Sequence, residues 1–559
     1  MNFIPSLIQG ESGLILWLVI PVLTLLLWNI ISLLRNYLSV RSSQIPAYIC
    51  PSNPTSIPWI ISAVPLKPLL RAILPDIIFD RIRPTFYGWE FSSKWELHKK
   101  FGEIFFISTP GINDLWIADP EAANDILKRT KEFLPLAGTE LVAGLFGPNL
   151  ITSHGEQWQR QRRLIAPNFN EGVSALVWSE ACSQASEMLD YFLETAHGET
   201  DQTIQGLRQI AIHVIGEAGY GQHTSWRDAM NKSQRDHHAG AMTYVEALHS
   251  IINYLLQAAF LPPWFFTLPW MPQWMRDIGT AKQRFPDLTK DILNKEREEA
   301  KTRTTTRKTL LSTLVALSDA EESSAALTEE QISGNLFLFT VAGYDTTANS
   351  LAYGITILAS SPKWQAWLLE EISQSSLSPE FAYETIFPSL VRTRAFMFET
   401  LRLYTPLVHL GRLNPTPQTI QTRKGPRFIP AGTQCYINGV AIHVNPHTWG
   451  TDALEFNPMR WFCSSSSSSE EELITTPRGT FLPWSAGPRI CPGMKMAQVE
   501  FVGVLFTILR RCRIEVVRSE GESEERAQKR FGDVMQDSQS RLTLQMNRPT
   551  DVTLRFVKR

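Results

Sequence analysis

The chain has 559 residues, 43% of them hydrophobic and 19% charged, and 53 Lys and Arg nearly balance 55 Asp and Glu for a net charge of −2. That composition is globular, not disordered, and the near-neutral balance argues against a nucleic-acid partner. The cysteines Cys50, Cys182, Cys435, Cys463, Cys491 and Cys512 form no CxxC pair, and GxGxxG, Walker A, HExxH and GxSxG motifs do not occur, which argues against zinc-ribbon, dinucleotide, NTPase, zinc-protease and serine-hydrolase readings.

Gly13 to Leu34 is a run of 22 residues without a charge. As a helix it measures about 33 Å, enough to cross the hydrocarbon core of a bilayer. Residues 1–12 hold no Lys or Arg, and the run is too long for the apolar region of a cleaved signal peptide. Arg35 and Arg41 follow it while only Glu11 precedes it nearby, so the positive-inside rule puts residues 35–559 in the cytoplasm. The expected organisation is an anchor over 1–34, a stiff Pro-rich linker over 35–60 (Pro46, Pro51, Pro54, Pro58) and one domain over 61–559.

Glu103 to Ser108 reads as a strand, and Asp119-Pro120 opens a helix running to Lys131. Long helical patterns dominate from about 156 to 410. Within them, 261–275 carries three Trp, two Phe, four Pro and no charge, a broken apolar loop suited either to packing on the protein or to a lipid interface. Lys295 to Lys308 is densely charged, a solvated helix end and loop. Glu329 to Ala359 is a long helical pattern, Gln434 to Val440 a short strand, and Ser464 to Ser469 a serine tract in a surface insertion. Met494 to Arg510 is an apolar helix, and Arg541 to Val557 reads as a hairpin turning at Asn547-Arg548-Pro549. The fold class is mainly α with small β-sheets.

The chemistry concentrates in Trp484-Ser-Ala-Gly487-Pro-Arg489-Ile-Cys491-Pro-Gly493. A cysteine at a helix start is favoured as thiolate by the helix dipole and free N–H groups. Its glycines let a large flat ligand approach the backbone. Upstream, Glu399 and Arg402 share a helix face at i and i+3, and Phe456-Asn-Pro458-Met-Arg460-Trp461 follows. Ala342-Gly343-Tyr344-Asp345-Thr346-Thr347 places poor helix formers in mid-helix. Trp158 and Arg162 face one way at i and i+4, and a guanidinium fork suits a carboxylate. Each cluster alone has an ordinary reading: a buried structural cysteine, a surface ion pair, a helix crossing or a solvated helix face.

Together, in this order, they resemble the cytochrome P-450 family. The cysteine loop matches F-x-x-G-x-R-x-C-x-G at every fixed position but the first, where Trp484 stands for Phe. The resemblance spans residues 35–559 and implies a cytochrome P-450 fold preceded by an N-terminal transmembrane helix. It implies haem b, with Cys491 as the axial thiolate of its iron. It implies that Trp158, Arg162, Arg412, Arg489 and Trp484 contact the haem, and that Asp345 and Thr346 are catalytic, supplying protons to bound dioxygen. Glu399, Arg402 and Arg460 become a structural network behind the haem, with Met459 where the family usually has an acid. Arg160, Arg163 and Lys495 are expected to help dock an acidic redox partner.

The function so implied is a membrane-anchored monooxygenase inserting one atom of O2 into a lipophilic small molecule. Electrons come from NADPH through NADPH-cytochrome P-450 reductase, since no flavin or nicotinamide motif occurs in this chain. The cysteine loop and the helix after it look most like fungal members of specialised metabolism, making terpenoids, polyketides or alkaloids. The implied location is the endoplasmic reticulum membrane, single-pass, with the catalytic domain cytoplasmic. Two alternatives stand beside it: a haem-thiolate isomerase or dehydratase needing no reductase, and a non-catalytic haem-binding sensor. The Asp345-Thr346 pair argues against both.

Overall fold

In the computed structural model, which describes residues 6–54, 56–195, 197–234, 242, 244–302, 309–318, 326–375, 382–462 and 471–559, the chain begins with helix α1 (Ser6–Arg41). From Val19 to Leu34 α1 is largely apolar and exposed, and the span Val19–Arg41 is long enough to cross a membrane. Two polar side chains in the run bond within the helix: Thr24 Oγ1 donates to Ile20 O at 2.8 Å and Asn29 Nδ2 to Leu25 O at 2.9 Å, which lowers their cost in hydrocarbon. The serine tract and Cys463 lie outside the described residues, as does the 303–308 end of the charged segment.

The described residues of 35–60 include regular elements. α1 continues to Arg41, and its end is tied down, Asn36 Nδ2 donating to Thr109 O at 2.8 Å and Asn113 Nδ2 to Asn36 O at 3.0 Å. Strand β1 (Ala47–Ile49) follows, then helix α2 (Ile57–Ile73), with Pro58 in its first turn, where no backbone N–H is needed.

β1 enters a five-stranded sheet with β2 (Ile104–Ser108), β3 (Asn113–Ile117), β4 (His409–Asn414) and β5 (Thr433–Asn438), in the order β1-β2-β3-β5-β4. The β1–β2 and β3–β5 pairs are parallel, the others antiparallel. Helix α3 (Pro120–Lys128) follows β3, and the Asp119 carboxylate accepts from the N–H groups of Glu121 and Ala122 at 2.9 and 3.0 Å, the cap expected of Asp-Pro. Gly439 and Val440, read as strand, start a short helix instead.

The helical side is built around α6 (Glu329–Ser360), closed at its start by a Thr328–Gln331 capping box. Against it pack α5 (Thr203–Tyr220) and α8 (Met494–Arg511). Helix α4 (Gly155–Ile165) carries Trp158 and Arg162, and α7 (Val391–Leu403) carries Glu399 and Arg402. From residue 334 to 359 of α6 every side is buried except at Ala342, Gly343 and Thr346. One short face of an otherwise enclosed helix therefore opens onto a cleft.

The expected hairpin over 541–557 is not formed. β7 (Ser538–Ser540) pairs antiparallel with β8 (Leu544–Met546), turning at 541–543. The last strand, β9 (Leu554–Lys558), pairs instead with β6 (Cys512–Val516) and with Glu199–Thr200. Both strands have the right local pattern, but Leu554 and Phe556 bury against the helical core with Ile514, and that burial, not the nearest turn, selects the partner.

Candidate haem-thiolate site

Gly487 adopts φ +68° and sits so close to Leu127 O that a Cβ there would lie 2.6 Å away, so only glycine fits the start of the cysteine loop. The loop closes with Cys491 N donating to Trp484 O at 3.0 Å, and Gly493 then starts α8. Cys491 is exposed at the residue level. Its sulfur is nevertheless enclosed by surrounding protein, and that desolvation raises the thiol pKa, opposed by the Gly493 N–H and the positive charge of Arg162. Those two groups are the kind that favour a thiolate once a metal replaces the proton.

Arg489 donates to Leu150 O at 3.2 Å and Ser153 O at 2.8 Å, and its guanidinium lies 4.5 Å from the ring centroid of Trp158. Its Nε is buried with no partner. Burial first, then the charge of Arg412, pulls the Arg489 pKa down to about 10. Arg412, on β4, is lowered to about 10 by burial alone and donates Nη1 to Gly411 O at 2.7 Å. Neither arginine forms an ion pair among the described residues. Two desolvated guanidiniums repelling each other are costly unless an anion joins them. A ligand bearing carboxylates, as haem does, fits this pair, the orphaned Nε and the glycine-lined cysteine loop.

Behind the loop, Glu399 and Arg402 are fully buried and form two hydrogen bonds, Nε to Oε2 and Nη2 to Oε1, both 2.8 Å. Arg460 Nε reaches Glu399 Oε1 at 3.0 Å, so the three predicted network residues do meet. Asn457 N and Trp461 Nε1 donate to the same carboxylate at 2.8 and 3.0 Å. Asp452 supplies a second carboxylate to Arg460, 3.0 Å from Nη2, while Met459 in the usual acid position is exposed. Arg402 also donates to His443 O at 2.8 Å, and the His443 ring accepts the N–H of Leu482 at 2.8 Å, two residues before Trp484. The network thereby reaches the cysteine loop. His443 and Asp452 carry no spacing that marks them in the sequence, whereas Trp461 ends the Phe456–Trp461 segment.

Trp484 packs edge-on against Phe398 and Phe481, with ring centroids 6.1 and 6.2 Å apart. No hydrogen bond joins its indole to the Cys491 sulfur among the described residues. On α6, Thr346 lies on the uncovered face and its hydroxyl donates back to Ala342 O at 2.6 Å. Asp345 does not share that face. It is buried, with Oδ2 accepting from Thr543 Oγ1 at 2.5 Å and Oδ1 from Asn349 Nδ2 at 3.2 Å. Phe169 spaces α6 from the cysteine loop, edge-on to Phe339 at 5.3 Å and beside Gly493.

Of the expected docking residues, Arg163 is exposed, but Arg160 turns inward to Gln331 Oε1 at 3.0 Å and Lys495 lies over the Phe387 ring at 4.6 Å. Arg160 is therefore engaged with α6.

The family model for cytochrome P450 matches residues 88–543. A cytochrome P450 monooxygenase of a phomenoic acid biosynthesis cluster in Leptosphaeria maculans is 31% identical, over 90% of this chain and 93% of its own. A cytochrome P450 monooxygenase of Arthrobotrys oligospora is 25% identical, covering 88% of this chain and 89% of its own. A third, from Postia placenta, is 30% identical over 77% of this chain and 80% of its own. A match this extensive, centred on a cysteine loop built as described above, makes the chain a member of the cytochrome P450 family of oxidoreductases.

Proposed function

We propose that this protein is a membrane-anchored haem-thiolate monooxygenase that inserts one oxygen atom from O2 into a lipophilic small molecule of specialised metabolism. The observation that carries the reading is the pairing of an accessible Cys491 with a single open patch on α6 at Ala342, Gly343 and Thr346. A structural cysteine needs no such cleft, and a sensor needs no hydroxyl beside it.

Cys491, with Arg412 and Arg489 toward the carboxylates, would hold haem b, which would supply the O2 activation. Trp158 stacks on Arg489 and keeps its fork oriented, and Arg162 adds positive charge near the sulfur. Trp484 fills the space beside the loop. Thr346 holds a transferable proton at Oγ1 on the cleft face, and Asp345, one residue earlier but turned off that face, is the acid proposed to replace it. Glu399, Arg402 and Arg460 fix the loop from behind.

α1 supplies the single-pass anchor, and Arg35 and Arg41 at its end support a cytoplasmic catalytic domain on the endoplasmic reticulum. NADPH-cytochrome P450 reductase is the proposed electron source, with exposed Arg163 as one docking charge. The name of the Leptosphaeria relative supports a specialised-metabolite substrate.

The test uses full-length, haem-loaded protein. The reduced carbon-monoxide complex is expected to show the red-shifted Soret band of thiolate ligation, and Cys491→Ser to lose it. NADPH oxidation with purified reductase then separates a monooxygenase from an isomerase, which turns over peroxides without NADPH, and from a sensor, which turns over nothing.

A further inference from the structure

We propose that Thr543 is a positioning residue for this reaction, a latch that holds Asp345 off the cleft and ties the acid to the hairpin turn beside it. The proposal rests on the monooxygenase reading above. Both oxygens of Asp345 are engaged: Oδ2 by Thr543 Oγ1 at 2.5 Å and Oδ1 by Asn349 Nδ2 at 3.2 Å. Asn349 Nδ2 also donates to Thr543 Oγ1 at 2.9 Å, and Asn349 Oδ1 accepts from Arg208 at 3.1 Å. Arg208 in turn reaches Gln545 Oε1 at 2.9 Å. A carboxylate engaged at both oxygens in this way stays put until a bond is released.

The latch sits on a shared element. Thr543 ends the tight turn between β7 and β8, where Arg541 N donates to Thr543 O at 3.1 Å. The next residue, Leu544, donates its N–H to Pro406 O at 2.9 Å, just before β4 and its Arg412. On the other side, Ser540 packs so closely on Gly88 that a Cβ there would lie 2.9 Å away. The turn is thus wedged between α6, the segment leading to β4, and Gly88, and a ligand that displaces it pulls on Asp345. A cavity of about 10 Å³ lined by Arg208, Asn349, Tyr353 and Gln545 adjoins the cluster, room for about one water. In the relay so built, Asp345 takes a proton from a solvent hydronium ion, leaving water there. It passes that proton to Thr346 as Thr346 Oγ1 gives its own to the cleft. No electron moves in these transfers. With Thr543 bonded, Asp345 is held from Thr346; with the turn displaced, it is free.

The experiment takes full-length, haem-loaded protein in lipid nanodiscs with reductase and NADPH and no added substrate. Thr543→Val is expected to raise NADPH consumption and peroxide release several-fold, with faster amide exchange across residues 342–349. Thr543→Ser, which keeps the hydroxyl, is expected to behave as wild type in both. Adding Asp345→Asn to Thr543→Val is expected to abolish the rise, because the freed acid causes it. Thr543→Ala carries the same expectation as Thr543→Val and replaces it should that variant not fold. A leak at wild-type level in Thr543→Val or Thr543→Ala, or a rise that persists undiminished in the double variant, overturns the latch. A wild-type protein without the thiolate Soret band overturns the monooxygenase reading instead, so the two failures are distinct.

Discussion

The guanidinium of Arg489 lies 4.5 Å from the ring centroid of Trp158, so the cysteine loop and α4, more than 300 residues apart in sequence (|i−j| = 339 for the neighbouring Arg489–Leu150 bond), are one surface. Arg489 lies half-buried over the indole face, where its charge is stabilised without being cancelled. It stays available to an anion, which an Arg489–carboxylate pair would not allow. The same logic governs the rest of the centre: charges that must serve a ligand lack carboxylates, and charges that must hold the fold have them.

Glu399→Gln is expected to be the most damaging single change. Glu399 faces two guanidiniums and two further N–H donors with no exposure to solvent. Removing its charge leaves buried Arg402 uncompensated and Arg460 with Asp452 alone, a loss of about 3–5 kcal/mol. Soluble yield, thermal midpoint and haem content report it, and a haem-loaded variant with wild-type stability would contradict the assignment.

Acid should weaken the protein through His443. Burial, with the charge of Arg402 adding to it, lowers its pKa to about 3. The unfolded imidazole titrates near ~6.5, so below that pH the unfolded state binds one more proton. The contribution is whole above pH ~6.5 and declines as pH falls toward 3. His98 and His213, both lowered to about 4 by burial, act in the same direction. Thermal midpoints between pH 7 and pH 4 should fall less steeply in His443→Asn, which keeps an acceptor for Leu482 N–H, than in wild type.

Trp484→Phe is expected to leave the haem reduction potential nearly unmoved. An indole N–H bonded to the thiolate would tune that potential, but the indole here packs against Phe398 and Phe481 instead. The loss should appear as about 1 kcal/mol of stability. Potentiometry of the folded variant decides it, since a clearly lowered potential would require a sulfur hydrogen bond.

Thr346→Ala should keep haem and substrate binding and send several-fold more of the reducing equivalents to peroxide, because the cleft-side hydroxyl is the last proton carrier before the reaction. Peroxide per NADPH consumed measures it. Unchanged coupling would move the proton route elsewhere.

Residues 261–275 should hold the protein to lipid without α1. The loop is broken, as its prolines require, with a short helix at Pro263–Phe266. Phe266 is buried and anchors it, while Trp264 and Trp270 are 63% and 72% exposed. Deleting residues 1–34 is expected to leave partial, salt-resistant membrane association, and changing Trp264 and Trp270 to Ser in that truncation to release it. Full release by the truncation alone would place these indoles in water.

The sequence by itself determined what is local. Trp484 to Gly493 is one contiguous loop whose glycine positions the backbone demands, and Glu399 and Arg402 meet because i and i+3 share a helix face. Trp158 and Arg162, the apolar run of α1 and the Asp119 cap were legible for the same reason: side-chain direction over a few residues follows from helical geometry. Tertiary structure decided the rest. It brought Arg412 on β4 beside Arg489, and linked His443 to both Arg402 and Leu482. It turned Arg160 inward to Gln331, and Asp345 away from the cleft to a hydroxyl 198 residues downstream. It also gave Leu554 to Lys558 to β6 in place of the hairpin that its turn residues suggested. Periodicity reports which face of an element is apolar or polar. It does not report which distant face that one will meet, because the choice is made by burial summed over the whole core.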